Sequence, residues 1–253
     1  DKNKKKKKKK KTISVIIITI NLNKLTYKIS IIMIKTVIFD MDGVIINSEP
    51  LHQKAYQMMF NEFNLNVSDE LYSSFTGMAT YPICEKLCAV FSLNYTSKLL
   101  VESKRKHFKS LFENGHEFKL IDGVLKLIQH YKQNGITLVL ASSASMANIN
   151  MIFKKFDLNQ YFKGKISGAD LKASKPHPEI FEKAAKLTGH SKKKCLVIED
   201  ATNGIIAAKS AGIFCIAFDG GHSKNQDYSK ADIVINEFEA IYIEKLKSIK
   251  FPS

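Results

Sequence analysis

Short, β-branched, nearly continuous apolar runs recur along the chain. They are Ile34–Phe39, Ile136–Ala141, Cys195–Ile198, Ile213–Phe218 and Ile233–Ile235, with a weaker one at Lys165–Gly168. Such runs do not alternate apolar with polar residues, so each reads as a strand covered on both faces, as in a parallel sheet. Helical patterns lie between them. In Gly123–Asn134, Val124, Leu127, Ile128 and Tyr131 fall at helical spacing ahead of the stop signal Asn134-Gly135. Pro178–Leu187 and Ala201–Ala211 are similar. Strand alternating with helix predicts an α/β, Rossmann-like, doubly wound core.

One stretch breaks the alternation. Between Glu49 and Gly115 no strand is convincing, and Glu49–Asn64, Ser68–Phe75, Tyr81–Phe91 and Thr96–Asn114 all read as helices. The expected organisation is a core of residues 33–48 and 116–253, with a helical block at 49–115 inserted after the first strand. With 45% hydrophobic residues in 253, the chain can bury a full core.

The formal charge of +15 invites a nucleic-acid reading, so its location decides. Residues 1–32 hold eleven lysines and one acid, which accounts for +10 and leaves +5 for the other 221 residues. The excess belongs to a tail that opens with Lys4 to Lys11, and no nucleic-acid partner is expected. The tail reads first as sequence lying upstream of a true start at Met33. A signal peptide is a second reading, with Ile13–Ile20 as its apolar segment, but no A-x-A-like cleavage site follows. A basic arm is a third. No apolar run nears the ~18 residues a membrane span needs. Cys84, Cys88, Cys195 and Cys215 show no zinc spacing and ask for no oxidising compartment, so a cytoplasmic protein with reduced thiols is expected. A monomer is also expected.

The chemistry-bearing residues stand at strand ends, where open α/β sheets gather ligands and catalytic groups. The first strand ends in Asp40-Met41-Asp42-Gly43-Val44, and Gly43 permits a turn that presents two carboxylates. The next ends in Ala141-Ser142-Ser143, a hydroxyl at the matching edge. Lys175 lies in Ser174-Lys175-Pro176-His177-Pro178, held extended by the proline that follows it. Val197-Ile198-Glu199-Asp200 closes a buried strand with two acids, which is costly unless they are paired or metal-bound. Singly, each feature has a bland alternative: an ordinary turn, a helix cap or a solvated lysine. Four in this order and context do not. Carboxylates suit Mg²⁺, and a lysine and a metal facing a nucleophilic carboxylate supply what phosphoryl transfer needs.

This ordered set resembles the haloacid dehalogenase superfamily, in the subgroup with a helical cap after the first motif, and is most similar to its β-phosphoglucomutase-like phosphatases. The resemblance runs from Met33 to about Val234. It implies Asp40 as nucleophile, Asp42 as general acid and base, and Mg²⁺ held by the Asp40 carboxylate, the Asp42 backbone carbonyl and Asp200, with Glu199 nearby or bound through water. It further implies that Ser142 and Lys175 grip the phosphoryl oxygens, and that His52, Thr80 and Lys106 match cap or hinge positions. The implied substrate is a small phosphorylated metabolite such as a sugar phosphate, and the implied alternative activity is a sugar phosphomutase. Keeping an acid at Asp42 points to monoester hydrolysis or mutase chemistry. Thr80 stands where a mutase is expected to carry arginine for a second phosphate, which weakens the mutase alternative. Asn47 stands where relatives usually carry aspartate.

Overall fold

Six parallel strands form one sheet in the order β3-β2-β1-β4-β5-β6. They are β1 (Thr36–Phe39), β2 (Thr137–Ser142), β3 (Phe162–Ser167), β4 (Cys195–Glu199), β5 (Phe214–Phe218) and β6 (Ile233–Ile235). This computed structural model describes residues 34–75, 78–114, 118–222 and 225–246, all within one unit spanning 32–253. The lysine run, the Ile13–Ile20 stretch and Met33 lie outside the described residues. From β1 the chain winds outward through β2 to β3, then returns to β4 on the other side of β1. The winding direction therefore reverses between β1 and β4, and a crevice opens there at the carboxyl ends of the strands.

Both faces of the sheet are buried, as the unbroken apolar runs require. Val37, Phe39, Leu138, Leu140, Leu196, Ile198 and Ile216 point into one hydrophobic cluster, packed by α5 (Val124–Gln133) and α6 (Met146–Lys155). Ile38, Val139, Ala141, Cys195, Val197, Cys215 and Ala217 point into the other, packed by α7 (Glu179–Thr188) and α8 (Thr202–Ser210). The edge strand β3 is longer than its weak apolar signal suggested. It has one neighbour, and most of its residues are only partly buried, so selection for apolar side chains is relaxed along it.

The inserted block folds as α1 (Glu49–Glu62), α2 (Asp69–Ser73), α3 (Thr80–Val90) and α4 (Ser97–Glu113). These helices bury a cluster of their own, built on Tyr56, Met59, Phe60, Ile83, Leu87 and Leu100. Among the described residues no helix is long and apolar enough to cross a membrane, and all four cysteines are free.

Candidate active site

Asp40 follows β1 directly, and its N–H donates to Ile198 O of β4 at 3.0 Å, so it sits at the reversal point. The next residues form a tight turn in which Ile45 N and Ile46 N both reach Met41 O and Gly43 N reaches Ile46 O. Gly43 adopts φ +78°, and a Cβ there would stand 1.8 Å from Asp200 Oδ2. A Cβ on Gly204 would stand 1.7 Å from Glu199 Oε1. Two glycines thus make room for two carboxylates at the end of β4, and no other residue type fits without displacing them.

Lys175 enters this acidic floor from the loop before α7, across a cis peptide to Pro176. It is buried, and its ammonium donates to Asp40 Oδ1 at 2.5 Å, Glu199 Oε1 at 2.6 Å and Ala141 O at 3.3 Å. Burial alone would lower Lys175, but the charges of Asp40 and Glu199 overcome it and raise the lysine above its ordinary value. Burial pushes Asp40 up to about 8, against the pull of Lys175 and helped by the neighbouring charges of Glu199 and Asp42. One lysine does not neutralise this floor.

Carboxylate oxygens of Asp40, Glu199 and Asp200 lie within 4.8 Å of one another, all three residues buried. An all-oxygen, net-negative, buried set of this kind fits a hard divalent cation. Within it the roles differ. Both oxygens of Glu199 are already engaged, one by Lys175 and the other by Ala201 N at 2.7 Å. Asp40 and Asp200 complete the candidate ligand set, and Glu199 also fixes Lys175 and the start of α8.

Asp42 lies beside this floor in a separate hydrogen-bond system. Its Oδ1 accepts from Ser48 Oγ and, at 3.3 Å, from His52 Nε2; its Oδ2 accepts from Ser142 Oγ at 3.4 Å. Ser48 occupies the N-cap of α1 yet does not cap it, because its hydroxyl is turned to Asp42. Lys104 of α4 donates to His52 Nδ1 at 2.7 Å. Since an ammonium only donates, Nδ1 is the acceptor and Nε2 carries the hydrogen given to Asp42. Burial works to raise Asp42, but the hydrogen bonds from His52 and Ser48, together with the nearby charge of Lys104, hold it below the usual carboxylate value. Burial and the nearby Lys104 charge lower His52, which is neutral in this arrangement. Burial brings Lys104 down to about 8.

These groups face one cleft. Asp40, Asp42, Lys175, Glu199 and Asp200 line its sheet side, and Glu49, His52, Tyr56, Tyr72, Thr80 and Lys104 line its helical side. Two expectations need correction. Lys106 does not line the cleft: it is exposed, while Lys104 points inward. Two residues along a helix rotate a side chain by about 200°, so only one of the pair can face the site. Ser142 is fully buried beneath the cleft, its hydroxyl held by Asp42 and accepting from Ala144 N at 3.1 Å, and the walls at that edge are Ser143 and Ala144. The polar cleft residues Ser48, Glu49, Tyr56, Tyr72 and Lys104 escaped the sequence reading.

A family model described as haloacid dehalogenase-like hydrolase matches residues 37–218. A phosphorylated carbohydrates phosphatase of Thermotoga maritima is 31% identical over 71% of this chain and 82% of its own length. The β-phosphoglucomutase of Bacillus subtilis is 27% identical over 84% of this chain and 93% of its own. In three dimensions a β-phosphoglucomutase from Clostridium difficile aligns with a TM-score of 0.75 at 24% identity, covering 85% of this chain and 96% of that one, which is a likeness of fold.

Proposed function

The chain belongs to the haloacid dehalogenase-like hydrolases and is a phosphoric monoester hydrolase of that family, and from that premise we propose that it hydrolyses small phosphorylated carbohydrates through an aspartyl-phosphate on Asp40. The observation that carries this reading is the pairing of two differently treated aspartates two residues apart. Asp40 is buried against Lys175 and aimed into the acidic floor, whereas Asp42 is hydrogen-bonded to groups of the helical block. Pairs whose environments push them apart are the usual mark of divided roles.

In the first step an oxygen of Asp40 attacks phosphorus, the bond from phosphorus to the substrate oxygen breaks, and that oxygen takes a proton from Asp42. In the second, water attacks the phosphorus of the aspartyl-phosphate and gives its proton to Asp42. The bond to Asp40 breaks and inorganic phosphate leaves. Asp42 must hold a proton for the first step. An incoming phosphate dianion raises it by like-charge repulsion, and Lys104 and His52 form a hydrogen-bonded path along which that proton can arrive. Asp40 and Asp200 would hold Mg²⁺, which would supply positive charge that favours the ionised form of Asp40 and offsets the charge of the phosphoryl oxygens. Residues 49–115 serve as the cap that excludes water and meets the leaving group, and the remainder as the core.

A sugar phosphomutase is the alternative. Its bisphosphate intermediate needs a cation for the distal phosphate, and a guanidinium suits this because its fork matches phosphate. Thr80 offers none, and Lys104 is already committed to His52. Water therefore competes well for the phosphoenzyme. Phosphorus NMR on β-glucose 1-phosphate with a trace of the bisphosphate tests this. Free phosphate is the expected product, and faster accumulation of glucose 6-phosphate would establish the mutase instead.

A further inference from the structure

The phosphoryl chemistry above leaves Glu49 without a task, yet this acid lines the cleft at the first position of α1. We propose that Glu49 selects the leaving group: it accepts a hydrogen bond from a hydroxyl or amine of the substrate and rejects substrates that carry a second anion. The inference rests on the phosphatase reading and adds to it the chemistry of the group released.

Tyr72 of α2 donates its phenolic hydrogen to Glu49 Oε1 at 3.1 Å. Tyr72 is fixed in turn by edge-on contacts with Tyr56 (5.8 Å), Phe60 (6.4 Å) and Phe75 (6.2 Å). The carboxylate is thus aimed by a rigid aromatic prop, and among the described residues no other hydrogen bond reaches it. The rest of this wall offers little that would suit an anion. Phe75, Met78 and Ile83 are apolar, and Thr80 is neutral. Lys104, the one cation on the helical side of the lining, is buried, donates to His52 and lies over the rings of Tyr56 (4.8 Å) and Phe108 (4.9 Å). A second phosphate or a carboxylate placed here meets a like charge in a partly desolvated cleft, which repels it. An O–H or N–H donor instead forms a charge-assisted hydrogen bond, and the apolar wall covers the C–H faces of the same skeleton. The fitting leaving group is a polyhydroxylated or amino-substituted carbon chain with no acid of its own.

The test uses the full chain with Mg²⁺ and a panel of glucose 6-phosphate, glucitol 6-phosphate, glucosamine 6-phosphate, 6-phosphogluconate and p-nitrophenyl phosphate. The readout is the ratio of kcat/KM for each donor-bearing substrate to that for p-nitrophenyl phosphate, which has no donor to give. In Glu49→Gln that ratio is expected to fall by about 10- to 100-fold, the range of one hydrogen bond to a charged group, chiefly through KM. The wild type is expected to disfavour 6-phosphogluconate against glucitol 6-phosphate, and Glu49→Gln to narrow that gap. Tyr72→Phe, which keeps the carboxylate but frees its aim, is expected to lower the ratio by less. If the amino sugar outruns the neutral sugars, the donor is an ammonium; if they are equal, it is a hydroxyl. A ratio within about threefold of wild type in Glu49→Gln, a wild-type preference for 6-phosphogluconate, or turnover of p-nitrophenyl phosphate alone would overturn the assignment while leaving the phosphatase reading in place. No turnover of any monoester would sink both.

Discussion

Replacing Lys175 with methionine tests how the acidic floor is held together. The substitution keeps an unbranched chain of similar length but removes the ammonium. Contacts to Asp40 at 2.5 Å, Glu199 at 2.6 Å and Ala141 O at 3.3 Å go with it, leaving three buried carboxylates whose oxygens lie within 4.8 Å. Removing one partner of a buried charge pair costs about 3–5 kcal/mol. At about 2–4 °C per kcal/mol for a domain of this size, that is a fall in Tm of about 6 to 20 °C. The loss depends on pH in a definite sense. The folded-state value of Asp40 is about 8, above its ordinary 3.8, so the folded form binds that proton more tightly than the unfolded chain does. Ionising Asp40 therefore destabilises the fold, with a cost that begins near pH 4 and grows until pH passes about 8. Lys175 is the group that pulls Asp40 downward, so without it Asp40 rises further, and the variant regains stability relative to wild type as pH falls from 8 to 6. Urea unfolding followed by far-ultraviolet circular dichroism suits a chain without tryptophan, run in chelator so that bound metal does not mask the charge. A deficit under about 1 kcal/mol at pH 8, or one that widens toward pH 6, would refute the picture of a lysine offsetting part of the charge of crowded carboxylates.

Chelation is expected to abolish hydrolysis and Mg²⁺ to restore it, with Ca²⁺ a poor substitute because it prefers more ligands and looser geometry; undiminished turnover in excess chelator would rule the acidic floor out as a metal site. Gly43→Ala forces a Cβ to within 1.8 Å of Asp200 Oδ2 at a φ of +78°, so it is expected to destabilise the protein by at least about 1 kcal/mol and to weaken Mg²⁺ binding. Melting curves with and without Mg²⁺ check both, and a wild-type response to the ion would show that Asp200 does not depend on that glycine.

The core was legible because its strands are buried on both faces, which writes an unbroken apolar run into each. Boundaries of the inner strands moved by no more than a residue or two, as at β2, expected at Ile136–Ala141 and found at Thr137–Ser142. The floor of the site was legible for a related reason: Asp40, Glu199 and Asp200 are acids at the ends of apolar strands, where only chemistry or pairing justifies them. The helical wall was harder to read. Ser48 before Glu49-Pro50 looks like a helix cap, and only the fold shows its hydroxyl turned to Asp42. Lys104 did leave a signal, since it falls on the buried stripe Leu100, Val101, Phe108 and Leu111 of α4, where a lysine needs a partner. The Glu49–Tyr72 bond joins two helices across a tertiary contact, and no sequence spacing encodes it.

The central claim is that Asp40 carries the phosphoryl group. Acid quench of the enzyme during turnover, followed by proteolysis and mass spectrometry of the peptide that contains Asp40 and Asp42, tests it directly. A phosphoryl group on Asp40 in the wild type, absent in Asp40→Asn together with loss of nearly all steady-state activity, is the predicted result. Activity in Asp40→Asn within about tenfold of wild type, about 1.4 kcal/mol in the barrier, or a phosphoryl group found elsewhere on the chain, would contradict it.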